Sequence, residues 1–193
     1  MAILNSLRMP RDCDENFIHR VETESRQQIS KCYQCGNCSA SCAYTYVYDY
    51  PVNQIMRLIQ LGQKEVVLRS RSIWLCADCQ ACTTRCPCNI DIARVMETLR
   101  FLSVEEDTVS IKNIQLFYDE FINSVKIFGR VFETGLLATY NLKAKKPFTD
   151  IDLAPKVLKK GKLSIKPHRI HGRKEVSDIF KRFEDYRNKK NLD

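Results

Sequence analysis

The chain has 193 residues, 44% of them apolar and 28% charged, and its 31 Lys and Arg against 23 Asp and Glu give a formal charge of +8. That balance argues against a disordered chain and supplies enough material for one globular domain of modest core, with room for an appended lobe. No run of eighteen apolar residues occurs, and the stretch "MAILNSLRMPRDCDENF" lacks the basic flank and apolar centre of a signal peptide, which predicts a cytoplasmic protein without a membrane span.

Residues 14–30 place Phe17, Val21 and Ile29 at helical intervals among charged neighbours and predict a short amphipathic helix. It leads into "KCYQCGNCSASCAY", where Cys32, Cys35, Cys38 and Cys42 stand at the spacing C-x2-C-x2-C-x3-C. Pro51 then opens "PVNQIMRLIQLG", in which Val52, Ile55, Met56 and Ile59 form one stripe and Gly62 is placed to stop the helix. A second short helical turn is predicted over "QKEVVLRS". The stretch "IWLCADCQACTTRCPCNIDI" repeats the cysteine spacing at Cys76, Cys79, Cys82 and Cys86, the last followed at once by proline. "IARVMETLRFL" reads as helix again, with Ile92, Val95, Met96 and Leu99 in register.

From about residue 108 two further helices are marked by Ile114, Phe117, Phe121 and Val125 and by Val131, Phe132, Leu136 and Tyr140, with Gly129 near the junction. Residues 143–172 contain Pro147, Pro155 and Pro167, with a turn of helix at "APKVLKKG" and a strand-like "KLSI"; a connection of this length points to a path along a partner's surface. The segment "KEVSDIFKRFEDYRNKK" returns to helix with Val176, Ile179, Phe180 and Phe183 on one side. The chain therefore reads as mainly α, in two regions. Residues 1–107 carry the cysteines, and residues 108–193 form a helical C-terminal region with an extended, partly irregular segment suited to docking within a larger assembly.

Ten cysteines in a reducing compartment point to metal ligation or redox chemistry rather than disulfides. At this chain's own cysteine frequency, three further preset positions are all cysteine by chance roughly once in 7,000 for each run. Three thiols spaced two residues apart let one loop wrap three corners of a 4Fe–4S cubane, and in two-cluster proteins with this run the fourth cysteine serves the other cluster. Cys32, Cys35, Cys38 and Cys86 are accordingly assigned to one cluster, and Cys76, Cys79, Cys82 and Cys42 to a second. A structural zinc prefers two C-x2-C pairs from separate knuckles, which this serial spacing suits poorly. Two such clusters, each with four thiolates around a doubly positive core, lower the charge by about 4, to roughly +4. The remaining excess, in the C-terminal third, reads as a solvated face, against the alternative of a basic cysteine-rich nucleic-acid-binding module.

Cys13 and Cys88 fall outside both quartets and are expected to be small buried hydrophobes, with Cys88 near enough to Cys86 to reach a cluster's surroundings. Ile73, Trp74, Leu75 and Ile90 flank the second run and are expected to screen its cluster from water, although Trp74 as plain core is an equal reading. His168 and His171 have the spacing of a ligand pair without further donors and are not expected to bind metal. The six glycines form neither a dinucleotide nor a nucleoside-triphosphate fingerprint, and no Ser/His/Asp or carboxylate constellation stands out. No catalytic residue is expected, so the chain reads as an electron wire without a reaction centre.

These paired runs and their helical spacer resemble the α-helical ferredoxin domain of succinate dehydrogenase and fumarate reductase iron–sulfur subunits and of glycolate oxidase relatives. A narrower resemblance, to the family of heterodisulfide reductase C subunits, is carried by "CYQCGNCSASC", "LGQKEVVLRS" and "IWLCADCQACTTRCP", and further on by "FGRVFETGL" and "KGKLSIKPHRIHG". Together these cover most of residues 30–175. Ala43 departs from the pattern, standing where the run is otherwise followed by proline, which alters loop shape and not ligation. The resemblance implies an α-helical ferredoxin domain over 1–107 with two 4Fe–4S clusters. These would relay single electrons from a flavin-containing, electron-bifurcating A-type subunit to a catalytic B-type subunit. In that family the B-type subunit reduces the mixed disulfide of coenzyme M and coenzyme B, CoM-S-S-CoB, in methanogens. The resemblance also implies an obligatory hetero-oligomer with no nucleic-acid partner. The C-C-G repeats of the B-type subunit are absent, as befits a separate relay chain. Two alternatives keep the wire and change its terminus: a related complex in sulfur metabolism, or a succinate/fumarate-type oxidoreductase.

Overall fold

The Asp14 carboxylate accepts the Phe17 amide at 2.9 Å and so caps the first helix, α1 (Glu15–Ser25). The computed structural model describes residues 13–145, 159, 160, 164, 166–168 and 170–190. Among the described residues every regular element is helical, with no strand. The expected turn over 154–161 and the strand-like 162–165 lie largely outside them. The chain divides into two units, Met1–Ile111 and Lys112–Asp193.

In the first unit α1 stops at Arg26, in the left-handed region at φ 56°, rather than running to residue 30. The reason is local. The Glu22 carboxylate takes the Ile29 amide at 2.7 Å and the Ser30 amide at 3.3 Å, starting a separate 3-10 turn over Ile29–Lys31. After the four-residue α2 (Asn37–Ala40) comes α3 (Val52–Gln60), with Pro51 one position earlier than expected, at the cap. All four stripe residues of α3, Val52, Ile55, Met56 and Ile59, are buried. Gly62 ends this segment at φ +63°, and a Cβ there would stand 2.6 Å from the Asp14 nitrogen, whose N–H donates to the Gly62 carbonyl at 3.2 Å.

Three short helices follow, α4 (Lys64–Leu68), α5 (Ser72–Leu75) and α6 (Ala81–Thr84), and then the 14-residue α7 (Ile92–Glu105), capped by Asp91. α7 is the hub, packing against α1, α4, α5 and α6, while α2 packs against α3 and α6. Its Ile92, Val95, Met96, Leu99 and Leu102 join Val21, Ile29, Ile55, Ile59, Val67 and Ile73 in a closed core. Each such side chain contributes about 1.5–3 kcal/mol by burial. Helices of four residues have no stability of their own, so α2 and α6 exist only because this core and the cysteine loops hold them.

The second unit contains α8 (Lys112–Phe128), α9 (Glu133–Lys143) and α10 (Arg173–Lys190), with α8 packed against both others. Its interior is polar in part: buried Glu120 holds Lys143 at 2.5 Å, and burial of Leu136 and an edge-to-face pair of Phe117 and Tyr140 supply apolar contact. The expected stripes are only partly covered in this unit. Ile179 is 55% exposed and Phe183 60%.

Candidate metal centre

The two cysteine runs fold alike, down to backbone conformations that glycine would favour. Gln34 and Asp78, the third residues of each run, have φ 64° and 50°; Gly36 and Gln80, the fifth, have φ 79° and 65°. One residue later α2 and α6 begin. Ser39 and Thr83 then occupy matching places, each hydroxyl accepting the amide of the second residue of the helix that follows: Asn53 to Ser39 at 2.9 Å, Ala93 to Thr83 at 3.2 Å. Gln60 and Arg100 also match, eight residues into α3 and α7. Each donates to the carbonyls of the first cysteine of its run and of the isoleucine three residues before it. The unit is therefore an internal repeat of turn, cysteine loop, short helix and long helix.

Between these parts lie two concavities of similar size. One is lined by Cys32, Cys35, Cys38 and Cys86, together with Asn53, Cys88 and Ile92. The other is lined by Cys76, Cys79, Cys82 and Cys42, together with Tyr44, Tyr48, Val52 and Met96. Each takes three thiols from one run and the fourth from the other. The crossing follows from α2 packing against α6: Cys42 and Cys86, each the second residue beyond its short helix, line the neighbouring loop's cavity. Among the described residues no three His, Cys, Asp or Glu side chains converge on a point where one metal ion would sit. Four thiols standing round a space suit a polynuclear cluster better than a zinc ion with sulfur ligands at about 2.3 Å.

The donor chemistry fits such a group. Burial pushes the Cys38 and Cys82 thiols up and takes Cys76 to about 11. Without a cation these thiols stay protonated, and metal binding must release their protons. Burial, then the neighbouring Cys76 and Cys42, also push the Tyr48 phenol up, so it remains a neutral O–H beside both sulfurs. The Gln34 amide donates to Cys32 Sγ at 3.3 Å.

The remaining expected residues are placed as follows. Cys88 is half-buried on the wall of the first cavity, its Sγ 3.0 Å from the Lys31 carbonyl oxygen. Cys13 is exposed, not buried, because it precedes the capped start of α1 at the surface. Trp74 is buried and donates its indole N–H to Ser103 Oγ at 3.2 Å; neither it nor Ile73, Leu75 or Ile90 lines a cavity. His168 and His171 are exposed residues of the second unit.

Four residues that periodicity and spacing did not single out support the site: Tyr48, Asp49, Gln60 and Arg100. Asp49 accepts from the Arg71 amide (2.8 Å), the Ser72 amide (3.0 Å) and the hydroxyls of Ser70 (2.7 Å) and Ser72 (2.5 Å), so a residue of the first repeat anchors the lead-in to the second. Aligning 52–60 with 92–100 would have paired Gln60 with Arg100.

Residues 28–90 match the family model of the 4Fe-4S dicluster domain. The chain is also similar to curated archaeal proteins. The C subunit of an H(2):CoB-CoM heterodisulfide,ferredoxin reductase from Methanothermobacter thermautotrophicus is 30% identical over 45% of this chain and 47% of the relative. The iron-sulfur C subunit of a CoB--CoM heterodisulfide reductase from Methanopyrus kandleri is 34% identical over 44% of each chain. The second iron-sulfur C subunit of the CoB--CoM heterodisulfide reductase from Methanocaldococcus jannaschii is 27% identical over 74% of this chain and 82% of the relative. In the first two the matched region spans less than half of the relative's length. The resemblance carried by the cysteine motifs is thus borne out, for the dicluster domain and for heterodisulfide reductase C subunits.

Proposed function

We propose that this chain, which carries a 4Fe-4S dicluster domain, holds two 4Fe–4S clusters and serves as the electron relay between the flavin-containing A-type and catalytic B-type subunits of a heterodisulfide reductase complex. Cys32, Cys35, Cys38 and Cys86 would hold one cluster, and Cys76, Cys79, Cys82 and Cys42 the other. The single observation that carries this reading is the pair of thiol-lined cavities, each drawing its quartet from both runs.

A bound 4Fe–4S cluster supplies one-electron transfer, with no bond made or broken in the chain. The residues around it do the rest. Val52 and Met96 cover one wall of the second cavity with apolar atoms, and Ile92 does so in the first, which limits water. Gln34 and Tyr48 offer donors to sulfur. Tyr33, 65% exposed on the rim of the first cavity, and Tyr44, 40% exposed on the rim of the second, leave each site near the surface where a redox partner can approach. By the family resemblance, reduction of CoM-S-S-CoB is assigned to the B-type subunit and electron entry to the flavin-containing one. The region 108–193, with its open apolar faces on α8 and α10, is the proposed docking part.

Anaerobic purification with iron and sulfide analysis tests the cofactor. About eight iron atoms and eight sulfides per chain, with broad absorbance near 400 nm, are expected; a colourless zinc protein overturns the reading. Copurification with a flavoprotein and a C-C-G-repeat protein tests the complex, and a stable association with neither contradicts it.

A further inference from the structure

The two cavities share a backbone and differ in charge. In the first repeat the neutral Gln60 amide braces the loop through the carbonyls of Ile29 (3.0 Å) and Cys32 (2.8 Å). In the second, the Arg100 guanidinium does the same through Ile73 (3.3 Å) and Cys76 (3.0 Å). Bracing alone needs no charge, since Gln60 manages without one. Arg100 goes further and forms an ion pair with Asp78. The residue matching Asp78 in the first loop is Gln34, neutral and donating to sulfur. The Asp78 carboxylate stands 3.6 Å from Cys76 Sγ, where the first loop has a donor.

The two charges are unequally placed. The Arg100 side chain is 12% exposed and the Asp78 side chain 41%, so solvent screens the carboxylate more, while the carboxylate lies beside the sulfur.

We propose that Asp78 and Arg100 are an opposed pair of positioning residues that sets the one-electron potential of the second cluster apart from that of the first. The inference rests on the reading that each cavity holds a cluster. Reduction adds one negative charge to a cluster, so a nearby cation or sulfur-directed donor favours the reduced form and a nearby anion opposes it. The second site carries both levers; the first, with Gln34 and Gln60, carries no formal charge in either place.

The test is an EPR-monitored redox titration of the purified, iron-loaded protein, its two signals assigned with Cys35→Ser for the first cluster and Cys79→Ser for the second. Asp78 has φ 50°, which asparagine tolerates, so Asp78→Asn keeps the loop. It is expected to raise the second cluster's reduced-to-oxidised ratio at fixed potential about tenfold, a shift of about 59 mV for one electron. Arg100→Gln, which copies the first repeat's brace, lowers the ratio by a similar factor. Arg100→Lys keeps the charge and stays within about threefold of the parent. The first cluster moves in none of them. Shifts of the same sign in Asp78→Asn and Arg100→Gln, or changes under about twofold in both, reduce the pair to a brace and overturn the proposal. If Arg100→Gln loses its cluster, Asp78→Asn decides alone, by the presence or absence of its upward shift. Iron and sulfide analysis of the unmodified protein keeps the two failures apart: their absence overturns the cluster reading, whereas a loaded protein with unresponsive potentials overturns this inference only.

Discussion

The first cysteine loop is anchored from within its own repeat, the second from across it. Glu22, seven residues upstream, accepts two amides at the start of the first loop's lead-in turn. Asp49, more than twenty residues upstream, accepts two amides and two hydroxyls at the start of the second. What the loops share is the path of the backbone: left-handed residues at the same two positions, a hydroxyl on the next helix, and a long side chain on the first cysteine's carbonyl. What they do not share is charge and anchorage. Thiol placement is thus a property of the repeated backbone, whereas stability and electrostatics are set loop by loop.

If both cavities hold clusters, removing iron is expected to disturb both loops most severely. Chelation under oxidising conditions should cost the first unit several kcal/mol, because α2, α6 and both loops lose the ligand that joins them. Limited proteolysis is then expected to cut within 32–42 and within 76–88 alike; cleavage confined to one loop would show that only one site depends on a metal. Asp49→Ala comes next, at about 2 kcal/mol for the lost charge-assisted bonds, with Glu22→Ala costing about half as much, both read by thermal denaturation of the loaded protein. Equal costs would contradict the difference in anchorage.

A smaller effect separates Gly36 from Gln80. Both lie at positive φ, and nothing stands within 4 Å of a Cβ placed on Gly36, so backbone strain alone distinguishes them. Gln80→Gly should stabilise by about 1 kcal/mol and Gly36→Ala destabilise by about the same. Opposite signs in thermal denaturation support the equivalence of the loops, and like signs refute it.

The weakest signal is pH-dependent. Burial alone would raise the Asp49 carboxyl, but the bonds from Ser72, Arg71 and Ser70 outweigh it and hold the group below its ordinary value. Its contribution is therefore complete above about pH 3.9, the unfolded value, and is lost as pH falls through the lower folded one. The Tm gap between the parent protein and Asp49→Asn should hold steady from neutrality to about pH 4 and close below it. A gap that widens on acidification contradicts this.

Much of the first unit was legible in its residues because the governing signals are local. Thiol spacing marks the two runs, and the stripes of α3 and α7 mark faces that are buried in the fold. Helix length was less legible: Arg26 interrupts the predicted 14–30 helix because Glu22 turns back to cap the next segment, a competition that periodicity does not register. In the second unit the same periodicity found the faces of α8 and α10 but not whether anything covers them, since a stripe records apolarity and not contact. The 143–172 segment falls largely outside the described residues. Asp49, Gln60 and Arg100 act across more than twenty residues of chain, where no short-range rule reaches. Gln80 in a left-handed conformation runs against its propensity and could be found only by laying the second run over the first.

If each run lends its last thiol to the other's cluster, then a single substitution must damage the cluster more distant in sequence. Cluster-resolved EPR of Cys42→Ser in the loaded protein is the decisive check. The crossed assignment predicts a perturbed signal from the cluster held by Cys76, Cys79 and Cys82, with the other signal intact; damage confined to the cluster held by Cys32, Cys35 and Cys38 would contradict it.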